Sequence, residues 1–327
     1  MNKQKVIAIT VTFNRSNTLK DTVSALIKQD SKCLEKIIIV DNCSNSEHRE
    51  NIKEIIKLDN RIDLLQLDDN YGGAGGFSFG MKYAYEKYNA DWYWIMDDDA
   101  YPTENCLTKL LEKSSLDNIA YLAPIIFGIT NKKYQNYHHK KFTETLKEYP
   151  VFEEYENLDA VTEIDANAFV GPLFSKNAVQ KIGFPEKDLF IYGDDSEYTY
   201  RCKANGFNGY LIKDAVINHE DIVNGNNVVL PTSWWKDYYW IRNQYIFIEK
   251  YSNCTSNKIK GKLSLYKFVV GDTVRGLKIK EYNNLRILRF KTLIRALNDG
   301  RKNKIGKSIN PDDYIKEINF KKNKNNQ

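Results

Sequence analysis

Apolar runs and amphipathic stretches alternate along the first ~125 residues. Val6 to Phe13 is a β-branched apolar run, which predicts a strand covered on both faces. Thr18 to Gln29 follows with Leu19, Val23, Leu26 and Ile27 on one helical face. Lys36 to Val40 predicts a second strand ending at Asp41-Asn42, Glu47 to Leu58 a helix, and Ile62 to Leu67 a third strand. The glycine-rich stretch Asn70 to Gly76 reads as a loop before a helix over Phe77 to Tyr88. Trp92 to Met96 predicts a fourth strand that runs straight into Asp97-Asp98-Asp99. This rhythm predicts an α/β fold with a mostly parallel, Rossmann-like sheet flanked by helices. Ligands of such sheets sit at the carboxyl ends of the strands, where Asn14, Asp41, Asn70 and Asp97 lie.

The pattern then changes. Residues 130–160 are polar and irregular, an excursion or lid, and Asp165 to Phe174 returns to apolar and small residues. Tyr192 to Ala204 reads as a helix with an acidic start, and Val216 to His219 closes a strand. From about Thr232 long helices rich in Trp, Tyr, Lys and Arg take over. The expected division is a sheet domain over 1–228 and a helical subdomain over 229–327, with disorder from Phe320 to Gln327.

Hydrophobic residues make up 42% and charged residues 28% of the 327, which excludes a largely disordered chain. Aromatics reach 13%, enough to stack on rings, sugars or interfacial lipid. Five scattered cysteines without a CxxC pair speak against a disulfide framework or cysteine zinc site and for a reducing compartment. The N-terminus reads as a strand rather than a secretory leader, and no apolar run approaches the ~18 residues of a spanning helix. The net charge of +5 is unevenly spread: Lys250 to Gln327 carries 20 Lys/Arg against 6 Asp/Glu, a net of +14, and the rest is acidic. The basic helices after Asn243 carry apolar residues between Lys and Arg, as in Leu285 to Arg295, the make-up of a helix lying on an anionic membrane. Nucleic-acid binding is the competing reading, but no recognised motif accompanies it.

Asp97-Asp98-Asp99 is the strongest chemical signal. Consecutive carboxylates at the end of an apolar strand repel one another unless a cation sits among them. In extended backbone Asp97 and Asp99 point to one side and could hold Mg²⁺ or Mn²⁺; the bland reading is a solvated acidic turn. The glycine stretch lacks GxGxxG spacing and follows the third strand, so it is not a dinucleotide fingerprint. It reads as a close approach to a ligand or as a flexible turn. Asp194-Asp195-Ser196-Glu197 reads as helix capping or as the place of a general base, with Arg201 near enough to pair. His219 is a packed residue or a further metal ligand, and His138-His139 reads as surface. Trp234-Trp235 with Tyr238, Tyr239 and Trp240 is a core band or a platform for sugar or lipid.

Taken together these pieces resemble an inverting glycosyltransferase of family 2 with the GT-A fold, over roughly residues 5–220. They are Thr12 to Arg15, Ile37 to Asn42, the Asn70 glycine stretch, Asp97 to Asp99, Gly193 to Arg201, and His219. The segments Asp69 to Phe77, Phe169 to Ser175 and Tyr238 to Asn243 narrow the likeness to the galactofuranosyltransferase branch. Rhamnosyltransferases are similar in plan. The resemblance implies that Thr12, Phe13, Asn14, Arg15 and Asp41 contact the nucleotide. It implies that Asn70, Gly72, Gly73, Gly75, Gly76 and Asp98 lie along the donor. Asp97, Asp99 and His219 would hold Mn²⁺ or Mg²⁺ on the diphosphate. Asp195 would be the general base, Asp194 would support it or bind the acceptor, and Trp234, Trp235 and Glu197 would shape the acceptor site. Asn45 stands where the family's pattern has an aspartate.

The implied activity is metal-dependent transfer of a sugar, galactofuranose from UDP-galactofuranose, to a hydroxyl of a lipid-linked or cell-surface glycan. Direct displacement would invert the anomeric centre. The implied place is peripheral, on the cytoplasmic face of a bacterial membrane, with no nucleic acid as partner and a homo-oligomer left open. Two other readings stay open: transfer of rhamnose from dTDP-rhamnose or of another hexose, and a non-catalytic carbohydrate-binding or membrane scaffold protein. A scaffold would not need Asp97, Asp99, Asp195 and His219 around one cleft.

Overall fold

The computed structural model describes residues 4–152, 154–220 and 229–323. They pack as two units. The first comprises the chain up to residue 141 together with 148–187 and the segment from 195 to the end of the sheet. The second comprises 142–147, 188–194 and the C-terminal helices. Two short segments assigned by the sequence to the first domain thus pack with the second. The expected boundary between residues 228 and 229 falls at the edge of residues 221–228, which lie outside the described residues.

The first unit is built on the predicted alternation. It runs β1 (Val6–Thr12), α1 (Ser16–Ile27), β2 (Leu34–Asp41), α2 (Ser46–Ile56), β3 (Ile62–Gln66), α3 (Gly72–Lys87), β4 (Trp92–Asp97), β5 (Ala100–Pro102), α4 (Cys106–Leu111) and β6 (Ile119–Gly128). It continues with β7 (His139–Phe142), β8 (Glu148–Pro150), β9 (Val161–Ile164), β10 (Ala166–Asn167), β11 (Val170–Ser175), α5 (Lys176–Ile182), α6 (Asp194–Ala204) and β12 (Asn208–His219). The main sheet has the order β3-β2-β1-β4-β11-β6-β12-β5, with β9 also paired to β12. The pairs β1–β2, β2–β3, β1–β4 and β6–β12 are parallel. Every residue of β1 is buried, because helices cover both faces of the sheet. From β1 the chain winds outward through β2 and β3, then returns to β4 on the other side, which makes the β1/β4 border the topological switch point.

Register makes that border level. Val11 pairs with Asp97 and Thr12 with Asp41, so three strand ends meet at one height. After Asp97 a tight turn leads into β5, which runs antiparallel to β12 and sets Ala100 opposite His219.

The glycine stretch is not a loop. α3 starts at Gly72, so Gly73, Gly75 and Gly76 are helical. A Cβ on Gly76 would stand 2.4 Å from Val11 Cγ1, and one on Gly80 would stand 2.8 Å from both Ile9 and Val40. These glycines let α3 lie against β1 and β2 more closely than any side chain permits.

The polar excursion is ordered as well. β7, β8 and β10 form a small sheet of order β10-β7-β8. His138 and His139, expected at the surface, are buried. His139 Nδ1 is 2.7 Å from Asn167 Oδ1, and His138 Nε2 is 3.0 Å from Gln135 Oε1. Asn167 lies across the small sheet on β10, out of reach of a reading of local polarity, and Gln135 lies three residues back.

The second unit contains α7 (Trp234–Tyr251), α8 (Thr255–Gly276), α9 (Arg286–Arg301) and α10 (Pro311–Asn323). α7 and α9 approach closely at Gly300, where a Cβ would stand 2.7 Å from Tyr245 Cβ. Tyr238 donates to Asp299 at 2.6 Å and Tyr239 to the Ile309 carbonyl at 2.7 Å. In the basic segment Leu285 to Arg295, Leu285, Arg289, Thr292 and Leu293 are buried, while Ile287, Phe290, Lys291 and Arg295 are exposed. Residues 320–323, expected to be disordered, are the last turn of α10, whose start is held by the Asn310 side chain accepting from the Asp312 amide at 2.9 Å. Residues 324–327 lie outside the described residues.

Candidate functional site

The tight turn at Asp98-Asp99 leaves Asp97 and Asp99 on one side and sends Asp98 to the other. The β5–β12 pairing then brings His219 alongside. One ligand atom from each of Asp97, Asp99 and His219 falls within 4.8 Å of the others. His219 Nε2 is 3.2 Å from Asp99 Oδ1. His219 Nδ1 is 3.1 Å from the Glu220 carbonyl and donates to it, so without a metal the ring carries protons on both nitrogens and Nε2 donates to Asp99; a cation would take the place of the Nε2 proton.

The charges in this cluster are strained by burial. Desolvation, then the Asp99 charge, push the Asp97 carboxyl well above the usual range. Burial works the same way on Asp99, but the hydrogen bond and charge of His219, with Arg15, outweigh it and hold Asp99 low. Burial would lower His219, yet its bond to Asp99 raises it. Two carboxylates and an imidazole nitrogen, short of positive charge, form a hard, mixed oxygen and nitrogen donor set. It fits Mn²⁺ or Mg²⁺ better than a soft metal.

Asp98 turns away from this cluster. Its Oδ2 accepts from Thr12 Oγ1 at 2.6 Å, its carbonyl accepts from Thr22 Oγ1 at 2.8 Å, and Arg15 Nη1 lies 3.1 Å from Oδ1. Asp98 thus ties β4 to the end of β1 and to α1. Burial pushes its carboxyl up to about 7, against the pull of Arg15. Arg15 also reaches Asp99 at 2.8 Å and Glu220 at 3.1 Å, so one guanidinium bridges three carboxylates at the mouth of the strand ends.

A second network joins the ends of β1, β2 and β3. Asp41 is buried; its Oδ1 accepts from the Ser44 amide at 2.8 Å and its Oδ2 lies 3.5 Å from Arg49. Asn14 sits in the left-handed region at φ 56°, donates its amide to Ser44 Oγ at 3.0 Å and accepts from the Asn45 amide at 2.8 Å. Asn45 itself caps α2 by accepting from the His48 amide, a task an aspartate would do equally. The Asn42 amide group donates to the Gly72 carbonyl at 3.0 Å and to Asn70 Oδ1 at 3.2 Å, which fixes the start of α3. Phe13 stands exposed beyond β1.

Asp194 and Asp195 open α6. Asp195 lies close enough to Asp97 for its charge to add to the upward push there. Its Oδ1 accepts from the Ser196 amide at 2.6 Å. Glu197 is buried and paired with Arg201 at 2.9 Å, so its carboxylate serves the interior of α6. In the second unit Trp234 is fully buried, edge-on to Tyr282 at 4.7 Å with Arg289 over its ring at 5.1 Å, and has no face open to a sugar. Trp235 is half-buried.

Sequence reasoning missed Glu220, Asn42, Ser44 and Arg49 as parts of the strand-end networks. Their signal was position alone, next to His219 and Asp41. It missed Arg242 and Asn243 more completely. Arg242 is fully buried, with Nη2 2.7 Å from the Leu189 carbonyl and Nη1 2.6 Å from that of Gly306. The Asn243 amide lies within 3.0 Å of the Leu189, Ile191 and Tyr192 carbonyls. Together they hold a segment in which Phe190, Tyr192 and Gly193 are left-handed, at φ 68°, 61° and 84°.

A mostly parallel sheet with an acidic, histidine-bearing strand end at its switch point is the plan of the GT-A glycosyltransferases. The sequence profile of glycosyl transferase family 2 matches residues 7–183, and the chain belongs to that family. It is 28% identical over 207 residues to a galactofuranosyltransferase of Mycolicibacterium smegmatis, a match spanning 62% of this chain and 66%, just under two thirds, of that relative. It is 24% identical to a dTDP-rhamnosyl transferase of Shigella flexneri over 75% of this chain and 80% of that one. A solved structure of GalNAc-T7 with UDP, GalNAc and Mn²⁺ superposes with a TM-score of 0.62 at 17% identity, covering 92% of this chain and 56% of that one.

Proposed function

We propose that the protein transfers galactofuranose from UDP-galactofuranose to a hydroxyl of a lipid-linked or cell-surface glycan, with inversion at the anomeric carbon. The observation that carries the reading is the Asp97, Asp99 and His219 donor set at the β1/β4 switch point, level with Thr12 and Asp41. The mycobacterial relative supports the sugar.

Asp97, Asp99 and His219 would hold Mn²⁺ or Mg²⁺. When bound, the cation offsets the charge of the departing diphosphate. The remaining work falls to this chain's own groups. Arg15, bridging Asp98, Asp99 and Glu220, is a cation beside the donor set that would swing onto a phosphate oxygen. The Asp41 and Asn14 network frames the base and ribose. Asp195, with Oδ1 engaged by the Ser196 amide, has Oδ2 to accept the proton of the attacking hydroxyl. Asp194 supports it from the adjoining position.

A second reading, transfer of rhamnose from dTDP-rhamnose, is favoured by the Shigella relative. Nucleotide release from purified protein with Mn²⁺ and a lipid-linked glycan extract separates the two. The donors are UDP-galactofuranose, UDP-galactopyranose, UDP-glucose and dTDP-rhamnose. Release with the furanose donor alone is expected. Release with dTDP-rhamnose alone overturns the sugar.

A further inference from the structure

An amphipathic helix has one apolar face, turned to the core. α8 has two. Gly261, Leu265, Val269 and Gly276 are buried within the second unit. Ile259, Leu263, Tyr266, Val270, Val274 and Leu277 are exposed, at 53%, 52%, 41%, 63%, 53% and 56%. Their spacings of 4, 3, 4, 4 and 3 stack them in one stripe about 80° wide and about 27 Å long. The stripe points roughly 150° away from the buried face. Ile287 and Phe290 at the start of α9 are exposed too. With Leu277 and Tyr282 they line an apolar groove of about 220 Å³.

Charge says what covers this stripe. Lys260, Lys267 and Lys278 fall along one flank, all exposed, and Lys280 and Lys291 lie just beyond. The single acidic residue of α8, Asp272, is committed to Arg289 at 2.9 Å. A second copy of this chain would set lysine flank against lysine flank, in a region with a net charge of +14. An anionic surface would meet it with opposite charge. No described helix is long and apolar enough to cross a membrane.

We propose that α8 lies flat on an anionic lipid bilayer, its exposed stripe at the headgroup–acyl boundary and its lysine flank on lipid phosphates. The inference stands apart from the choice of donor sugar and from the catalytic roles above. Within the basic C-terminal helices that the sequence points to, it places the contact on α8 and the first turn of α9.

The test is co-sedimentation of the full chain with vesicles of phosphatidylcholine alone and of phosphatidylcholine mixed with phosphatidylglycerol. Binding to the mixed vesicles is expected to be at least about tenfold tighter. It should weaken with salt. Lys260→Gln, Lys267→Gln and Lys278→Gln together should weaken it about 100-fold, taking each lysine near an anionic surface at its usual worth. Val270→Ser with Val274→Ser should release the protein from both vesicle types with an unchanged melting temperature, since both side chains already face solvent. Equal binding to the two vesicle types overturns the proposal, as does binding by the serine variant at wild-type strength. A concentration-dependent dimer that the serine variant abolishes, without vesicle binding, assigns the stripe to a second copy instead.

Discussion

Gly76→Ala tests whether the glycines of α3 serve packing or the donor. Two effects oppose each other. Replacing Gly by Ala inside a helix ordinarily stabilises by about 1 kcal/mol. Here the new Cβ would stand 2.4 Å from Val11 Cγ1 and 3.2 Å from Cγ2. Carbon atoms rest at about 3.5–4.0 Å, so α3 and β1 would have to part by about 1 Å. They have little room to do so. Val11 lies in the core beneath α3, and one turn on, Gly80 sits in the same close contact with Ile9 and Val40. Overpacking of this kind costs about 1–3 kcal/mol, and a whole helix moving places it at the upper end. The overpacking cost outweighs the propensity gain, and a net loss of about 1–2 kcal/mol is expected in urea unfolding.

The sign should reverse when the obstacle is removed. In a Val11→Ala background both Cγ atoms are gone, the nearest remaining atom is Val11 Cβ at 3.4 Å, and the propensity gain survives. Gly76→Ala should then be neutral or stabilising. A Gly76→Ala single variant as stable as the parent would refute the packing argument. So would a loss of stability that the Val11→Ala background leaves unchanged. If stability holds in every case while UDP binding disappears, the glycine faces the donor after all.

Four further outcomes follow from the same geometry. Asp97→Asn or His219→Ala should remove the stabilisation that Mn²⁺ gives in thermal melts, and with it nucleotide release. Asp195→Asn should cost at least about 10²-fold in turnover while UDP binding, followed by calorimetry, stays within a factor of a few. Burial raises Asp97 and Asp98, the latter to about 7, so the stability they contribute is full below about pH 4 and is lost as pH rises through 7; without metal the melting temperature should fall from about pH 5 to 8, and added Mn²⁺ should recover more of it at the upper end. Asn243→Ala should destabilise by about 2–3 kcal/mol in urea, since it leaves up to three loop carbonyls short of a donor.

The parts of the fold legible in the sequence are those whose cause is local. β1, β2 and β4 read as strands because burial on both faces forces an unbroken apolar run on the chain itself. Asp97 and Asp99 read as a site because an apolar strand ending in three carboxylates is costly without a use; that these two face together is set by the tight turn at 98–99 rather than by strand alternation. His219 was legible only as a strand end; that it meets Asp99 depends on β5 pairing antiparallel with β12. The start of α3 was misread because glycine is a poor helix former, and its reason for being there lies 65 residues away in Val11. His138 and His139 were misread because their polar neighbours signal solvent. Inside, His138 Nε2 meets Gln135 and His139 Nδ1 meets Asn167.

Arg242 marks the limit of such reading. A fully buried arginine without a carboxylate within bonding distance contradicts the pairing that residue type suggests. Its charge is instead spread over the Leu189 and Gly306 carbonyls and the face of Tyr239, 4.8 Å away. Backbone carbonyls carry no residue identity, so no pattern of side chains announces them. The segment they belong to ends at Gly193, immediately before Asp194 and Asp195. Two left-handed non-glycine residues within four positions cost free energy that something must offset. The hydrogen bonds from Arg242 and Asn243 are that offset. The conformation leading into the candidate base is therefore set not by residues 188–193 themselves but by a helix some fifty residues further along the chain.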